Sequence, residues 1–84
     1  MKVAQAGTIE SNDCLVIVSP SDELIVDIHS IVFDKFGKAI NKVIMTTLDE
    51  HNISNIKVVV QDKGAYDYTI KARLTTALRR AKDE

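Results

Sequence analysis

Residues 10–13, with the sequence Glu-Ser-Asn-Asp, interrupt apolar sequence near the start of the chain and place one hydroxyl among carboxylates. Serine, asparagine and aspartate favour turns because their side chains hydrogen-bond to nearby backbone groups. A serine hydroxyl can also be a nucleophile or an attachment point, but it needs a base, and no histidine is close to Ser11 in the sequence. The residues alone therefore favour a turn at Ser11, with covalent attachment as the alternative, and argue against a self-contained serine enzyme.

The other reactive side chains in this half of the chain do not form a site. A metal site needs several converging ligands, and His29, His51 and Cys14 have no paired spacing, so no metal site is predicted. The two histidines are interpreted as polar residues at the ends of a strand and a helix. Cys14 is interpreted as a small apolar strand residue, because the carboxylates before it would raise the pKa of its thiol.

Two polar groups in the C-terminal third have structural interpretations. Residues 62–64, Asp-Lys-Gly, lack the glycine density and the Gly-Lys-Ser or Gly-Lys-Thr ending of a P-loop, so a tight turn is predicted. Asp67 is interpreted as the N-cap of the last helix. A basic helix face is interpreted as solvated, with docking to an acidic partner or a phosphate as the alternative; it consists of Lys71, Arg73, Arg79 and Arg80.

Length and composition limit the classes of protein that this chain can be. Residues 1–84 are predicted to form one globular domain, because 45% of them are hydrophobic and 27% are charged. A net charge of -1 argues against a nucleic-acid binder that depends on a general positive field. The apolar runs are far shorter than the roughly 20 residues that span a bilayer, so no membrane association is predicted. The single cysteine cannot form an intramolecular disulfide, and a cytoplasmic location is expected.

Alternating apolar and polar positions predict four strands, at residues 2–9, 14–18, 24–28 and 56–61. In the first of them, Val3 and Ile9 are the largest apolar residues. The third has an apolar face of Leu24, Val26 and Ile28, and it is expected to pair with the second strand as a hairpin.

A period of three to four residues predicts two helices. The first begins near Ile31, with Ser30 as its N-cap, and ends at residues 51–52. Its interior contains Gly37, which costs about 1 kcal/mol relative to alanine, so a local packing reason or a later helix start is expected. The apolar stripes consist of Phe33, Phe36, Ile40, Val43, Ile44 and Leu48 in the first helix, and of Ile70, Leu74, Ala77 and Leu78 in the second.

The order strand, strand, strand, helix, strand, helix predicts an α+β fold. Two helices must bury their stripes, and one face of the sheet is the only large apolar surface available to them. We therefore predict a two-layer sandwich in which two helices cover one face of a mixed, four-stranded sheet. The third strand, the first helix and the fourth strand have the length of a crossover unit, so those two strands are expected to be parallel.

Several sequence blocks resemble the acyl carrier protein, or gamma subunit, of bacterial citrate lyase. The blocks are residues 6–13 with the strand that follows, residues 36–40, residues 62–67 and residues 70–74, and they follow the order and spacing of that family. Together they cover nearly the whole chain. In that family, the serine of the Gly-Thr-(aliphatic)-Glu-Ser block carries phosphoribosyl-dephospho-coenzyme A through a phosphodiester, and the matching residue here is Ser11.

The resemblance implies a carrier that supplies no catalytic residue of its own. It implies an alpha subunit that exchanges the arm's acetyl group for citryl, and a beta subunit that cleaves the citryl thioester, so that citrate yields acetate and oxaloacetate. A prosthetic-group transferase and an acetylating ligase are the other implied partners. A long arm makes the encounters with separate active sites effectively intramolecular. Glu10 and Asp13 are interpreted either as solubilising the turn or as guiding the transferase.

Two alternative functions remain open from the sequence. One is the related carrier subunit of malonate decarboxylase, against which the blocks between residues 36 and 73 favour citrate lyase. The other is a small protein- or RNA-binding module that uses the basic helix face. Only two phenylalanines and two tyrosines are present, which weighs against base stacking on an aromatic platform.

Overall fold

The computed structural model of the protein describes residues 1–82. It contains four strands and two helices in the predicted order: β1 (Ala4–Gly7), β2 (Cys14–Pro20), β3 (Ile25–Ser30), α1 (Phe33–Glu50), β4 (Ile56–Asp62) and α2 (Asp67–Lys82). The strands form one mixed sheet with helices packed against it. The predicted α+β fold with a four-stranded mixed sheet is therefore confirmed.

The sheet has the strand order β1-β2-β4-β3. β3 and β4 are parallel, with Val26 beside Val58, which confirms the predicted crossover through α1. The predicted hairpin between the strands at 14–18 and 24–28 is wrong, because β4 lies between β2 and β3 and is antiparallel to β2. The hairpin joins β1 to β2 instead. Local alternation identified the strands but carried no information about which of them pair.

One face of the sheet forms the core with both helices. Every second residue of β2 and β4 is buried there, and α1 and α2 contribute the predicted stripes, apart from the first turns of α1. Phe33 and Phe36 are exposed, so the first turns of α1 extend past the core. In β1 the core residue is Ala6, whereas Val3 and Ile9 lie outside the strand and are exposed.

The start of α1 differs from the prediction. The helix begins at Phe33, and its N-cap residue, Val32, makes no side-chain capping bond. Ser30 is the last residue of β3 rather than the N-cap, and its hydroxyl donates to Asp62 Oδ2 (2.8 Å) and accepts from the Val32 N–H (3.1 Å). The later helix start that Gly37 suggested is observed, and a Cβ on Gly37 would meet only the end of the exposed Phe33 side chain, at 2.8 Å.

The ends of α1 and β4 and the start of α2 agree closely with the sequence patterns. His51 is the C-cap of α1, and its Nδ1 lies 2.8 Å from the Thr47 carbonyl oxygen. A turn ends β4 at Asp62, as predicted for the Asp-Lys-Gly segment. Asp67 is the first residue of α2 rather than its N-cap, since the first carbonyl that accepts helix bonds belongs to Tyr66.

The basic face of α2 is only partly solvated. Three of its cations contact other elements: Arg73 pairs with Asp13, Arg80 donates to the Gln5 carbonyl (2.8 Å), and Lys71 lies 3.3 Å from Glu50. These side chains attach α2 to the first hairpin and to α1. The interpretation of this face as solvated therefore holds for Lys71 and Arg80, which stay exposed, whereas Arg73 is half-buried and committed to Asp13.

Candidate functional site

The loop that bears Ser11 joins the two strands of the first hairpin. Within it the Asp13 N–H donates to the Glu10 carbonyl (3.1 Å), which closes a four-residue β-turn. Asn12, the third residue, has a φ of 67°, as a type II turn requires. Ser11 is the second residue, at the tip of the turn. The turn predicted from the sequence is thus present, and it directs Ser11 away from the core.

The hydroxyl of Ser11 is accessible and uncommitted. The residue is exposed, and its Oγ forms no hydrogen bond within residues 1–82. In contrast, the Ser30 hydroxyl is held by Asp62 and Val32. No side chain of the described residues is therefore placed to act as a base for Ser11, and this loop can present a nucleophile to another enzyme but cannot activate it.

Asp13 holds the base of the loop. Its Oδ2 accepts from the Thr8 hydroxyl (2.7 Å) and its Oδ1 from the Cys14 N–H (2.7 Å). Arg73 of α2 binds both carboxylate oxygens, with Nε 3.1 Å from Oδ1 and Nη2 2.9 Å from Oδ2. The hydrogen bonds from Arg73 and Thr8 lower the pKa of Asp13 from 3.8 to about 2. Asp13 is therefore a structural anchor of the loop.

Asp13→Asn is expected to destabilise the protein at neutral pH by about 1–2 kcal/mol, because the bidentate ion pair is lost and its partner is partly exposed. A carboxyl whose pKa is lowered on folding stabilises the protein above its unfolded pKa, and this contribution is lost as the pH falls through its folded pKa. The difference between the two proteins should therefore disappear between about pH 4 and pH 2. Urea unfolding of both proteins at pH 7 and pH 2.5 measures this difference in the free energy of unfolding.

Glu10→Gln is the matched control, because Glu10 is exposed and its carboxylate makes no contact within residues 1–82. Its effect on stability should stay within about 0.5 kcal/mol at both pH values. A constant penalty for Asp13→Asn at both pH values would contradict the ionic role assigned to this carboxylate.

The loop is also attached laterally to the segment that follows β4. The Asn12 N–H donates to the Lys63 carbonyl (2.8 Å), and the Lys63 N–H donates to the Asp13 carbonyl (2.9 Å). These bonds continue the β2–β4 ladder past the ends of the strands. The residue beside Ser11 is thereby fixed against the 62–66 turn, which is itself organised by the buried carboxylate of Asp62 through the N–H groups of Gly64 and Ala65.

Gly7 makes the close approach of the two hairpin strands possible. Its φ is +100°, and a Cβ at this position would overlap the carbonyl oxygen of Cys14. That carbonyl accepts from the Thr8 N–H (3.1 Å) at the start of the loop. A side chain at residue 7 would therefore displace the strand that leads out of the loop.

Cys14 is the first residue of β2 and is fully buried. Burial, with smaller contributions from Asp13 and Asp62, raises the pKa of its thiol to about 11. The thiol is therefore protonated at neutral pH and is not a nucleophile, in agreement with the interpretation from the sequence.

Residues 1–82 offer little other chemistry. No group of three or more histidine, cysteine, aspartate or glutamate residues within residues 1–82 could hold a metal ion. His29 pairs with Asp27 (3.1 Å) on the surface, away from His51. Over the same range, no helix has the length and apolar character needed to cross a membrane.

The roles of two residues that shape the Ser11 loop were not identified from the sequence. Arg73 lies 60 positions after Asp13, and nothing local distinguishes it from the other cations of α2. Gly7 lay within the block that carries the family resemblance, but its steric role depends on the backbone of Cys14. The contacts of both residues with the Ser11 loop become visible only in the folded structure.

Comparison with known proteins gives a consistent result. A family model described as "Malonate decarboxylase delta subunit (MdcD)" matches residues 1–81. The citrate lyase acyl carrier protein of Treponema denticola is 49% identical over 81 residues, which cover 96% of this chain and 93% of the relative. That of Haemophilus influenzae strain PittEE is 45% identical over 83 residues, which cover 99% of this chain and 87% of the relative.

A solved structure shares the fold. It is described as the crystal structure of a Pseudomonas malonate decarboxylase hetero-tetramer in complex with malonate. One of its chains matches with a TM-score of 0.84 and 17% identity, over 95% of this chain and 84% of that one. At this identity, the likeness concerns the fold alone.

Proposed function

The chain belongs to the family of citrate lyase acyl carrier proteins, and on this premise we propose that it is the non-catalytic carrier subunit of a multi-subunit citrate lyase. The prosthetic group is attached to Ser11 as a phosphodiester of phosphoribosyl-dephospho-coenzyme A. When bound, this group supplies a terminal thiol that carries acetyl and citryl groups as thioesters. We propose that residues 1–84 act as a single carrier domain.

The observation that supports the proposal most directly is the exposed and uncommitted Ser11 hydroxyl at the tip of an anchored turn. A carrier needs a tether point that a modifying enzyme can reach, and it needs no pocket around that point. A bulky, charged group fits this position because the turn tip projects from the sheet and because no described side chain bonds to Ser11 Oγ.

Different residues of the chain serve for attachment of the group and for positioning of the loop. Ser11 Oγ forms the new bond to phosphorus, and its proton passes to a base of the modifying enzyme, while the phosphate leaving group of the donor departs. Asp13 and Arg73 keep the base of the loop fixed. Asn12, through its bond to Lys63, holds the turn against the rest of the sheet.

The proposed partners follow from this role. An alpha subunit acts as acyl transferase, a beta subunit cleaves the citryl thioester, a prosthetic-group transferase modifies Ser11, and an acetylating ligase charges the thiol. Within the assembled complex, the tether keeps the thiol near each active site at a concentration on the order of millimolar. This removes the need for each active site to bind the acyl thioester tightly.

The test is an intact-mass measurement of the chain after incubation with the prosthetic-group transferase and its activated donor. We expect one covalent adduct per chain, and peptide fragmentation should locate it on Ser11. An adduct on another residue, or no adduct under conditions that modify a known citrate lyase carrier, would reject the assignment.

Glu10→Gln is expected to slow the modification of Ser11 by a few-fold, because its carboxylate is the free charge next to the hydroxyl and would steer a basic transferase surface. The initial rate of adduct formation, measured by mass at low and high salt, should differ between the two proteins mainly at low salt. Equal rates at low salt would show that Glu10 only solubilises the turn.

A malonate decarboxylase carrier is the second candidate, and the description of the matching family model favours it. Relatives that are 49% and 45% identical and bear the citrate lyase name favour the first candidate. Reconstitution separates the two: the modified chain should restore citrate cleavage to carrier-depleted citrate lyase and should not restore malonate decarboxylation.

A further inference from the structure

All four aromatic residues of the chain lie on its surface. The exposed fractions are 51% for Phe33, 53% for Phe36, 67% for Tyr66 and 72% for Tyr68. Aromatic side chains normally supply much of the buried area of a core, since each can bury about 150–250 Å². In this protein the core cluster of the described residues contains no aromatic side chain, so the aromatic rings are available for contact with something else.

Three of these rings line one groove. Phe36, Tyr66 and Tyr68 surround a volume of about 660 Å³ between the first turns of α1 and the segment that leads from β4 into α2. The rings of Tyr66 and Tyr68 are stacked, with centroids 5.4 Å apart and planes 9° apart. Phe33 lies on the same helix but does not line this groove.

The groove begins beside the attachment loop. Gly64 forms part of its wall, and a Cβ on Gly64 would lie 3.6 Å from Asn12 Oδ1. The adjacent backbone is joined by the hydrogen bond from the Asn12 N–H to the Lys63 carbonyl. Asn12 follows Ser11 directly, so a group on Ser11 is attached next to the rim.

We propose that this groove holds the adenine base of the arm carried by Ser11 while the arm is between active sites. The inference rests on the proposed function. A purine has two apolar faces that stack on aromatic rings, and it would extend the existing pair formed by Tyr66 and Tyr68.

The charges around the groove favour the base over the phosphates of the arm. Among the described residues that line it, the charged side chains are those of Asp62 and Asp67, and none is a lysine or arginine. Asp62 is committed to Ser30, Gly64 and Ala65. The Asp67 carboxylate remains as an acceptor for the exocyclic amine of the base, whereas a phosphate in the groove would be repelled.

Covalent attachment makes a weak site sufficient. A tethered base is present at the groove at a concentration on the order of millimolar, so a site with a dissociation constant of similar size is about half occupied. Such a site releases the arm readily to a partner. It would hold the nucleotide end near the protein and leave the thiol end free to move.

The experiment compares proton NMR spectra of the protein carrying the group, verified by intact mass, with those of free dephospho-coenzyme A. We expect the adenine ring protons of the attached arm to shift upfield through the ring currents of the tyrosines. In a Tyr66→Leu, Tyr68→Leu variant carrying the same adduct, most of this shift should be lost, and only the contribution of Phe36 should remain. Phe33→Leu is the matched control and should keep the shift.

The outcomes separate this inference from the proposed function. A chain that carries the adduct on Ser11 but shows unshifted adenine resonances overturns the groove assignment and leaves the carrier function intact. A shift that is undiminished in the double tyrosine variant overturns it as well. Tyrosine resonances that respond only to an added partner subunit, with adenine unchanged, would make the groove a protein-docking surface and overturn the proposal. A folded chain that takes up no adduct under conditions that modify a known citrate lyase carrier contradicts the proposed function itself.

Discussion

Ser11→Ala is expected to abolish attachment of the prosthetic group without affecting the fold. The substitution removes the oxygen proposed to form the phosphodiester. The described side chains near the loop offer no free replacement nucleophile, because the Thr8 hydroxyl is bonded to Asp13 and the Cys14 thiol is buried with a pKa of about 11. The side chain of Ser11 is exposed and unbonded, so its loss should change the free energy of unfolding by less than about 0.5 kcal/mol. Intact mass after incubation with the transferase measures the first effect, and urea unfolding measures the second.

Ser54→Ala is the matched control for this substitution. Ser54 is also exposed, but it lies just before the start of β4, whereas the Ser11 loop lies beside the end of β4. The seven residues of the strand place the two serines about 20 Å apart. Ser54→Ala should therefore accept the group at the normal rate. Equal modification of the native chain and Ser11→Ala would show that another residue is the attachment point.

Gly7→Ala is expected to cost about 3–5 kcal/mol, the largest loss of stability among single substitutions near the loop. Two penalties act together: a positive φ of 100° that L-residues rarely adopt, and overlap of the new Cβ with the Cys14 carbonyl oxygen. The total stability of a domain of this size is about 4–13 kcal/mol. The melting temperature should therefore fall by at least about 12 °C, and thermal unfolding followed by circular dichroism measures it.

Substitutions at the other two glycines separate the conformational penalty from the steric penalty. Gly64 also has a positive φ, of 94°, but a Cβ there makes only ordinary contacts, so Gly64→Ala should show the conformational penalty alone, about 1–2 kcal/mol. At Gly37 the new Cβ would meet the end of the exposed Phe33 side chain, which can move, so Gly37→Ala should change stability by less than about 1 kcal/mol. A ranking in which Gly7→Ala is no worse than Gly64→Ala would contradict the steric role of Gly7.

The sequence was sufficient for what depends on local periodicity. Alternation located the four strands, and the apolar stripes located both helices, because burial of one face imposes these periods directly. Strand pairing was not accessible in the same way. The strands at 14–18 and 24–28 are neighbours in the sequence, yet β4 separates them in the sheet. The strand order depends on how the whole chain buries its apolar surface, and no single segment of the sequence reveals it.

In the candidate site, too, features set by local residues could be predicted and features set by distant residues could not. The turn at Ser11 could be predicted because serine, asparagine and aspartate act on their own backbone. The anchoring role of Asp13 was not predicted, since its partner Arg73 comes from α2 and lies far from it in the sequence. Likewise, the outward position of Phe33 and Phe36 follows from how far α1 extends beyond the sheet, which the apolar period alone does not reveal.

The pairing of Asp13 with Arg73 has a consequence for the proposed modification of Ser11. The loop around Ser11 is synthesised before α2, but the cation that fixes the loop is supplied by α2. A chain in which α2 has not yet docked therefore displays the serine in an unfixed loop. An enzyme that recognises the fixed loop would modify folded chains and would leave chains with an undocked α2 unmodified.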